Sequence, residues 1–157
     1  MIAVADHSGD VENAGRHARA WLVLVGALGL HVLDEALTNF LDFYNPLVLR
    51  IRSQAAWFPM PTFTFGIWLA GLIVATLLLA LLTPVIRRGS RVARAASYAL
   101  SAVMLLNGLG HLVGSIYFQR WLPGATSAPL LLVASVMLAR ATWARRRITT
   151  TARLGDR

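Results

Sequence analysis

Cysteine is absent from the 157 residues. Disulfides and thiolate chemistry are therefore excluded, and any metal must be held by nitrogen and oxygen ligands. Lysine is absent as well, so all 15 basic residues are arginine. Charge of either sign is scarce at 14% of residues, with only 7 acidic side chains, while 57% of the chain is hydrophobic. The mean hydropathy of +0.60 lies well above that of a soluble chain. This balance points to an integral membrane protein, and the length allows one domain. A net charge of +8 raises nucleic acid as a partner. The arginines, however, stand in short blocks between apolar runs, and no basic-plus-aromatic surface is left once those runs are placed in a membrane. Blocks of that kind orient spans and touch anionic lipid headgroups.

Read in order, residues 1–19 form a polar lead with Asp6, Asp10 and Glu12 ahead of Arg16 and Arg19. This is expected to be a disordered cytoplasmic segment that leaves His7 and His17 exposed. It is long and acidic for a signal peptide, and no small-x-small site follows the apolar run before Asp34. Residues 20–144 read as a transmembrane domain and 145–157 as a basic, disordered cytoplasmic tail. The first span is Trp21–Phe40, stopped by Pro46. Leu47–Met60 reads as a short interfacial amphipathic helix or a loop, with Trp57 and Phe58 at headgroup level. Thr62–Ile86 is the second span and Ala95–Phe118 the third. Gln119–Thr126 is a turn around Pro123-Gly124, and Ser127–Trp143 is the fourth span. The expected fold is an all-α membrane bundle of four transmembrane helices. Putting both termini in the cytoplasm leaves 12 arginines inside and only Arg50, Arg52 and Arg120 outside the plasma (inner) membrane. Trp21 and Trp143 then mark one interface, and Trp57, Tyr117 and Trp121 the other.

The chain is organised around His31-Val32-Leu33-Asp34-Glu35, three ionisable side chains in five residues of the first span. A charge at such depth costs roughly 3 kcal/mol or more, so such residues usually face a protected interior and serve a function. Helical spacing puts His31, Asp34, Glu35, Thr38, Asn39 and Asp42 on one stripe. The third span carries another: Tyr98, Ser101, Gly108, His111, Gly114 and Ser115, with Asn107 beside it. Both spans run from inside to outside. At ~1.5 Å per residue Glu35 and His111 each lie about 10 Å below the outer end, and His31 and Asn107 about 15 Å below it. Two polar pairs, His31/Glu35 and Asn107/His111, thus sit at matching levels.

Three readings fit this constellation. In the first, His31, Glu35 and His111 ligate zinc or iron, with Asp34 or Asn107 behind them. In the second, the carboxylates Glu35 and Asp34 with His111 run proton transfer on a lipophilic substrate arriving from the membrane. In the third, the groups satisfy one another and fix helix packing. Other polar residues read more plainly. Asp42 and Asn45 are helix-end and turn residues, Arg120 a solvated loop charge, and the threonines of the second span bond back to the backbone. Haem between His31 and His111 lacks an attachment motif or a further histidine pair. A proton or ion conductor would need polar residues continuing inward, and Trp21–Leu30 has none.

His31-x-x-Asp34-Glu35 in a first span, Asn107-x-x-x-His111 in a third and the Pro123-Gly124 turn resemble the small bacterial membrane proteins named for an HXXEE motif. The resemblance covers most of Trp21 to Trp143. Here the first acidic position is Asp34 instead of glutamate, which keeps the carboxylate and shortens its reach by one methylene. It implies four helices and a polar site, and it supplies no reaction. The expected function is a small membrane enzyme on a lipophilic substrate; the alternative is a non-enzymatic ligand-binding or assembly subunit whose polar residues dock a partner.

Overall fold

The computed structural model describes the backbone of residues 3–57 and 59–155, with side chains over 12–57 and 59–145. All its elements are helical: α1 Ala3–Leu37, α2 Phe40–Gln54, α3 Phe65–Leu81, α4 Thr83–Arg88, α5 Arg91–Tyr117 and α6 Ala128–Gly155. Among the described residues, three stretches are long and apolar enough to cross a membrane: Glu12–Leu37, Phe65–Arg88 and Arg91–Tyr117. The expected fourth span is not among them, because the apolar part of α6 is cut short by Arg140 and Arg145.

Several expected boundaries move. The helical backbone of α1 begins at Ala3, and that of α6 continues to Gly155. Asn39 adopts a left-handed conformation, φ 57° and ψ 50°, which a short polar side chain tolerates, and this ends α1. The stop is therefore not Pro46, which lies inside α2. The helix of that region is thus Phe40–Gln54 rather than one confined to 47–60; Trp57 is exposed, and Phe58 lies outside the described residues. The second apolar run breaks at Leu82 into α3 and α4, where Pro84 occupies the first turn of α4. Ser90 caps α5 by accepting from the Ala93 amide at 3.1 Å.

α1 is the central helix and touches every other one. Trp21, Leu24, Val25 and Leu28 project from it against Leu131, Ala134 and Leu138 of α6, with Ile86 of α4 and Ala93 of α5 closing the core. Trp21 is buried and donates its indole N–H to the Leu79 carbonyl at 2.8 Å, so it is a core residue and not an interfacial one. α6 lies against both α1 and α5. Gly108 permits the second contact: a Cβ there would fall 2.9 Å from Leu132 Cδ2 and 3.2 Å from the Ala128 carbonyl oxygen. α3, by contrast, packs against the core through Leu69, Leu72, Leu79 and Ala80 and leaves the rest of its surface exposed, with Ile67, Ile73, Val74, Leu77 and Leu78 facing outward.

The end of the bundle near Arg91 holds a buried knot centred on His17. Its Nδ1 lies 3.2 Å from Arg145 Nη1, and its Nε2 lies 3.0 Å from Ser97 Oγ and 3.1 Å from Thr142 Oγ1. Arg145 can only donate, so His17 Nδ1 accepts and Nε2 carries the proton. The two hydroxyls are free to receive it, because Ser97 donates to the Ala93 carbonyl and Thr142 to the Leu138 carbonyl. Arg145 also donates to the carbonyls of Ile86 and Arg87, tying α6 to α4. His17 is thus buried, not exposed in a lead; the His7 side chain lies outside the described residues. Replacing His17 by alanine should cost about 1–3 kcal/mol, since it strands buried donors and acceptors. A lower melting temperature of the detergent-purified protein would register this, and an unchanged one would contradict the knot.

Candidate metal centre

At the opposite end of the bundle, α1 presents His31 and Glu35 one turn apart on its inward face. Both are buried, at 0% and 5% exposure. α5 brings His111 alongside, 8% exposed. The Glu35 Oε1 atom lies 3.1 Å from His111 Nε2 and 3.6 Å from His31 Nε2. The two imidazole rings meet edge to face, with centroids 4.7 Å apart at 77°. One ligand atom from each of the three residues falls within 4.8 Å of the others, an arrangement that could hold a metal ion. Rings in direct contact leave no room for a porphyrin between them, which removes the haem option.

The proton count around His31 identifies which nitrogen faces this centre. Asp34 Oδ2 accepts from the Ser127 backbone N–H at 2.9 Å and from Ser127 Oγ at 2.8 Å. The same Oγ lies 2.8 Å from His31 Nδ1. A hydroxyl has one proton, and a carboxylate can only accept it. With that proton on Asp34, Ser127 Oγ receives the Nδ1–H of His31. His31 Nε2 is then a bare lone pair aimed at Glu35 and His111, and it has no hydrogen-bond partner. The carboxylate–hydroxyl–imidazole chain is the kind of support that orients metal-binding histidines.

The turn between α5 and α6 roofs the centre. Gly124 takes φ +83°, and a Cβ on it would sit 2.7 Å from His111 Cε1 and 3.0 Å from Glu35 Cγ. Any side chain at this position strains the backbone and displaces a candidate ligand. On the other side, the break at Asn39 brings Phe40 back over the site, its ring 5.8 Å from His111 and stacked on Trp68 and Tyr44. Beside His111 a cleft of about 290 Å³ opens outward between Phe40, Phe43, Leu106 and Leu122, with Asn107 on its rim.

The expected residues divide accordingly. His31, Glu35 and His111 converge, and Asp34 stands behind them through Ser127. Asn107 does not join the cluster: it is half-buried on the cleft and makes no hydrogen bond among the described residues. The polar stripe of α1 ends at Glu35. Beyond it Thr38 bonds back to the Asp34 carbonyl, and Thr38, Asn39 and Asp42 are exposed. Asn45 makes a two-point pair with the Phe63 backbone, as a packing residue does, and the exposed Arg120 lies over the Phe43 ring at 5.3 Å. In the second apolar run, Thr76 and Thr83 bond back to the carbonyls of Leu72 and Ala80 as expected. Ser127, Gly124 and Phe40 are the contributors that the α1 and α5 stripes do not contain. Ser127 had a signal of its own, a helix-capping residue type directly before an apolar helical run.

His17 and His31 should therefore hold opposite neutral tautomers, Nδ1–H for His31 and Nε2–H for His17. Two-bond ¹H–¹⁵N correlation spectra of histidine-labelled protein near neutral pH should separate them. A His31 carrying its proton on Nε2 would overturn the assigned hydrogen-bond chain.

No curated protein and no solved structure matches the chain significantly. The family described as a protein of unknown function with HXXEE motif matches residues 21–139, from the buried Trp21 through the cluster and most of the apolar part of α6. The matched range contains His31-x-x-Asp34-Glu35, which resembles that motif with aspartate at its first acidic position, and the fold gathers His31 and Glu35 with His111. This chain belongs to the HXXEE family.

Proposed function

We propose that the protein is an integral membrane metalloprotein acting on a lipophilic substrate, with His31, Glu35 and His111 as the ligands of a zinc or iron ion. The observation that carries this reading is the lone pair of His31 Nε2, buried without a partner and pointed at two other ligand atoms. A buried acceptor left unpaired costs about 1–3 kcal/mol, and a cation shared with Glu35 and His111 relieves it. Two histidines and one carboxylate with further positions open is a common donor set for either metal.

Division of labour follows from the geometry. Asp34 and Ser127 hold the His31 ring and its proton in place. Glu35, 3.1 Å from His111, supplies the negative charge that a divalent ion requires and can take up a proton. The apolar cleft admits a hydrophobic molecule to the His111 side, where the uncommitted Asn107 carboxamide can orient a carbonyl or hydroxyl. A bound zinc or iron supplies Lewis-acid polarisation of an oxygen there and eases deprotonation of water.

The membrane setting belongs to the same proposal: four spans in the plasma membrane, counting the apolar part of α6, with both termini on the cytoplasmic face. It is supported by the outward apolar faces of α3 and α5, which water would leave uncovered, and by the 12-to-3 split of arginines. The close Glu35–His111 contact also supports metal-free acid/base chemistry with the same residues.

Metal content of chelator-free, detergent-purified protein separates the two. Near-stoichiometric zinc or iron is expected, lost in His31→Ala and in His111→Ala. Ser127→Ala should retain the fold and bind metal roughly 10–100-fold more weakly. Well-folded wild-type protein without metal would rule out the metal reading and leave the acid/base one.

A further inference from the structure

The end of the bundle away from the metal centre carries a second cleft, of about 460 Å³, between α1 and α6. Its α1 wall is Arg16, Arg19, Ala20 and Val23, spaced i, i+3, i+4, i+7 and so on one helical face. The α6 wall repeats that spacing with Met137, Arg140 and Ala141. Alanines at the bottom leave the space.

Charge and apolar surface are segregated along this cleft. The helices are antiparallel, pinned by His17 to Thr142 at one end and His31 to Ser127 at the other. That register sets Arg19 level with Arg140. Val23 and Met137 lie one turn deeper toward the middle of the bundle, and Arg16 one turn toward the end. Arg16 is taken by Glu12 at 2.8 Å. Arg19 and Arg140 have no acidic partner among the described residues, whose other acids Asp34, Glu35 and Asp42 lie at the far end.

We infer that this cleft binds an anionic phospholipid, its phosphate between the Arg19 and Arg140 guanidiniums and one acyl chain along Val23 and Met137. Guanidinium forks match phosphate oxygens, and basic pockets between helices on the cytoplasmic side suit anionic headgroups. Among the described residues no carboxylate lines the cleft, and the nearest, Glu12, is taken by Arg16, so a zwitterionic headgroup gains less. The depth order, cation at the end and apolar wall toward the centre, matches a lipid of the inner leaflet. The inference rests on the membrane setting proposed above and is independent of the metal.

The test is native mass spectrometry and thermal melting of the detergent-purified full chain, titrated with dioleoyl-phosphatidylglycerol or dioleoyl-phosphatidylcholine. Wild-type protein should retain phosphatidylglycerol on the order of tenfold better and melt higher with it. The Arg19→Gln/Arg140→Gln variant should lose that preference, and Arg50→Gln/Arg52→Gln should keep it. Should the double variant fold poorly, each single variant, scored by lipid retention, carries the same expectation. Equal retention of both lipids, a preference that survives in the Arg19/Arg140 variants, or one lost equally in the Arg50/Arg52 variant would overturn the lipid site. So would inorganic phosphate reproducing the full melting shift. Recovery from the soluble rather than the membrane fraction would overturn the membrane setting and the lipid with it; the other failures overturn the lipid alone.

Discussion

The register between α1 and α6 is the constraint on which the rest depends. It is set by hydrogen bonds at two levels about four turns apart on α1. At one, His17 meets Thr142 and Arg145; at the other, His31 and Asp34 meet Ser127. Between them the helices touch through Trp21, Leu24, Leu28, Leu131, Ala134 and Leu138. Such apolar contacts are non-directional and would tolerate sliding. A one-residue slip would orphan buried groups at both levels together. In a bilayer, where lipid tails are as apolar as leucine, packing and hydrogen bonds of this kind hold helices in place.

His17 and His31 show how one side chain serves opposite purposes on the same helix. At His17 both nitrogens are engaged, one by Arg145 and one by two hydroxyls, so nothing remains for a ligand. At His31 one nitrogen is engaged and the other is left bare beside a carboxylate and a second imidazole. The difference lies in the partners. A guanidinium forces acceptance at Nδ1, whereas a hydroxyl already committed to Asp34 forces donation from it.

What could be read from sequence follows the same division. His31/Glu35 is a local i,i+4 pair, and His111 is located by counting residues to a common depth, so helical geometry alone brings the three together. The helix α3 follows from an uninterrupted apolar run, and α5 from one interrupted by Asn107 and His111. The His17 knot was not legible, because its burial depends on Arg145, 128 residues away, while its sequence neighbours Arg16 and Arg19 are charged. Trp21 carried an interfacial signal that the Leu79 carbonyl overrides. Asn107 shares a helical face with His111, but it lines the neighbouring cleft and makes no hydrogen bond among the described residues. Pro46 failed as a boundary because Asn39 had already broken the helix seven residues earlier.

Ser127 carries a consequence for which residues its position accepts. Its single oxygen must give one proton to a carboxylate and take another from an imidazole, in the space of one short side chain at the start of α6. Alanine removes the oxygen. Asparagine divides the two roles between separate atoms, and cysteine makes both bonds long and weak. Threonine alone keeps one hydroxyl at that reach, so the alphabet at 127 shrinks to two letters.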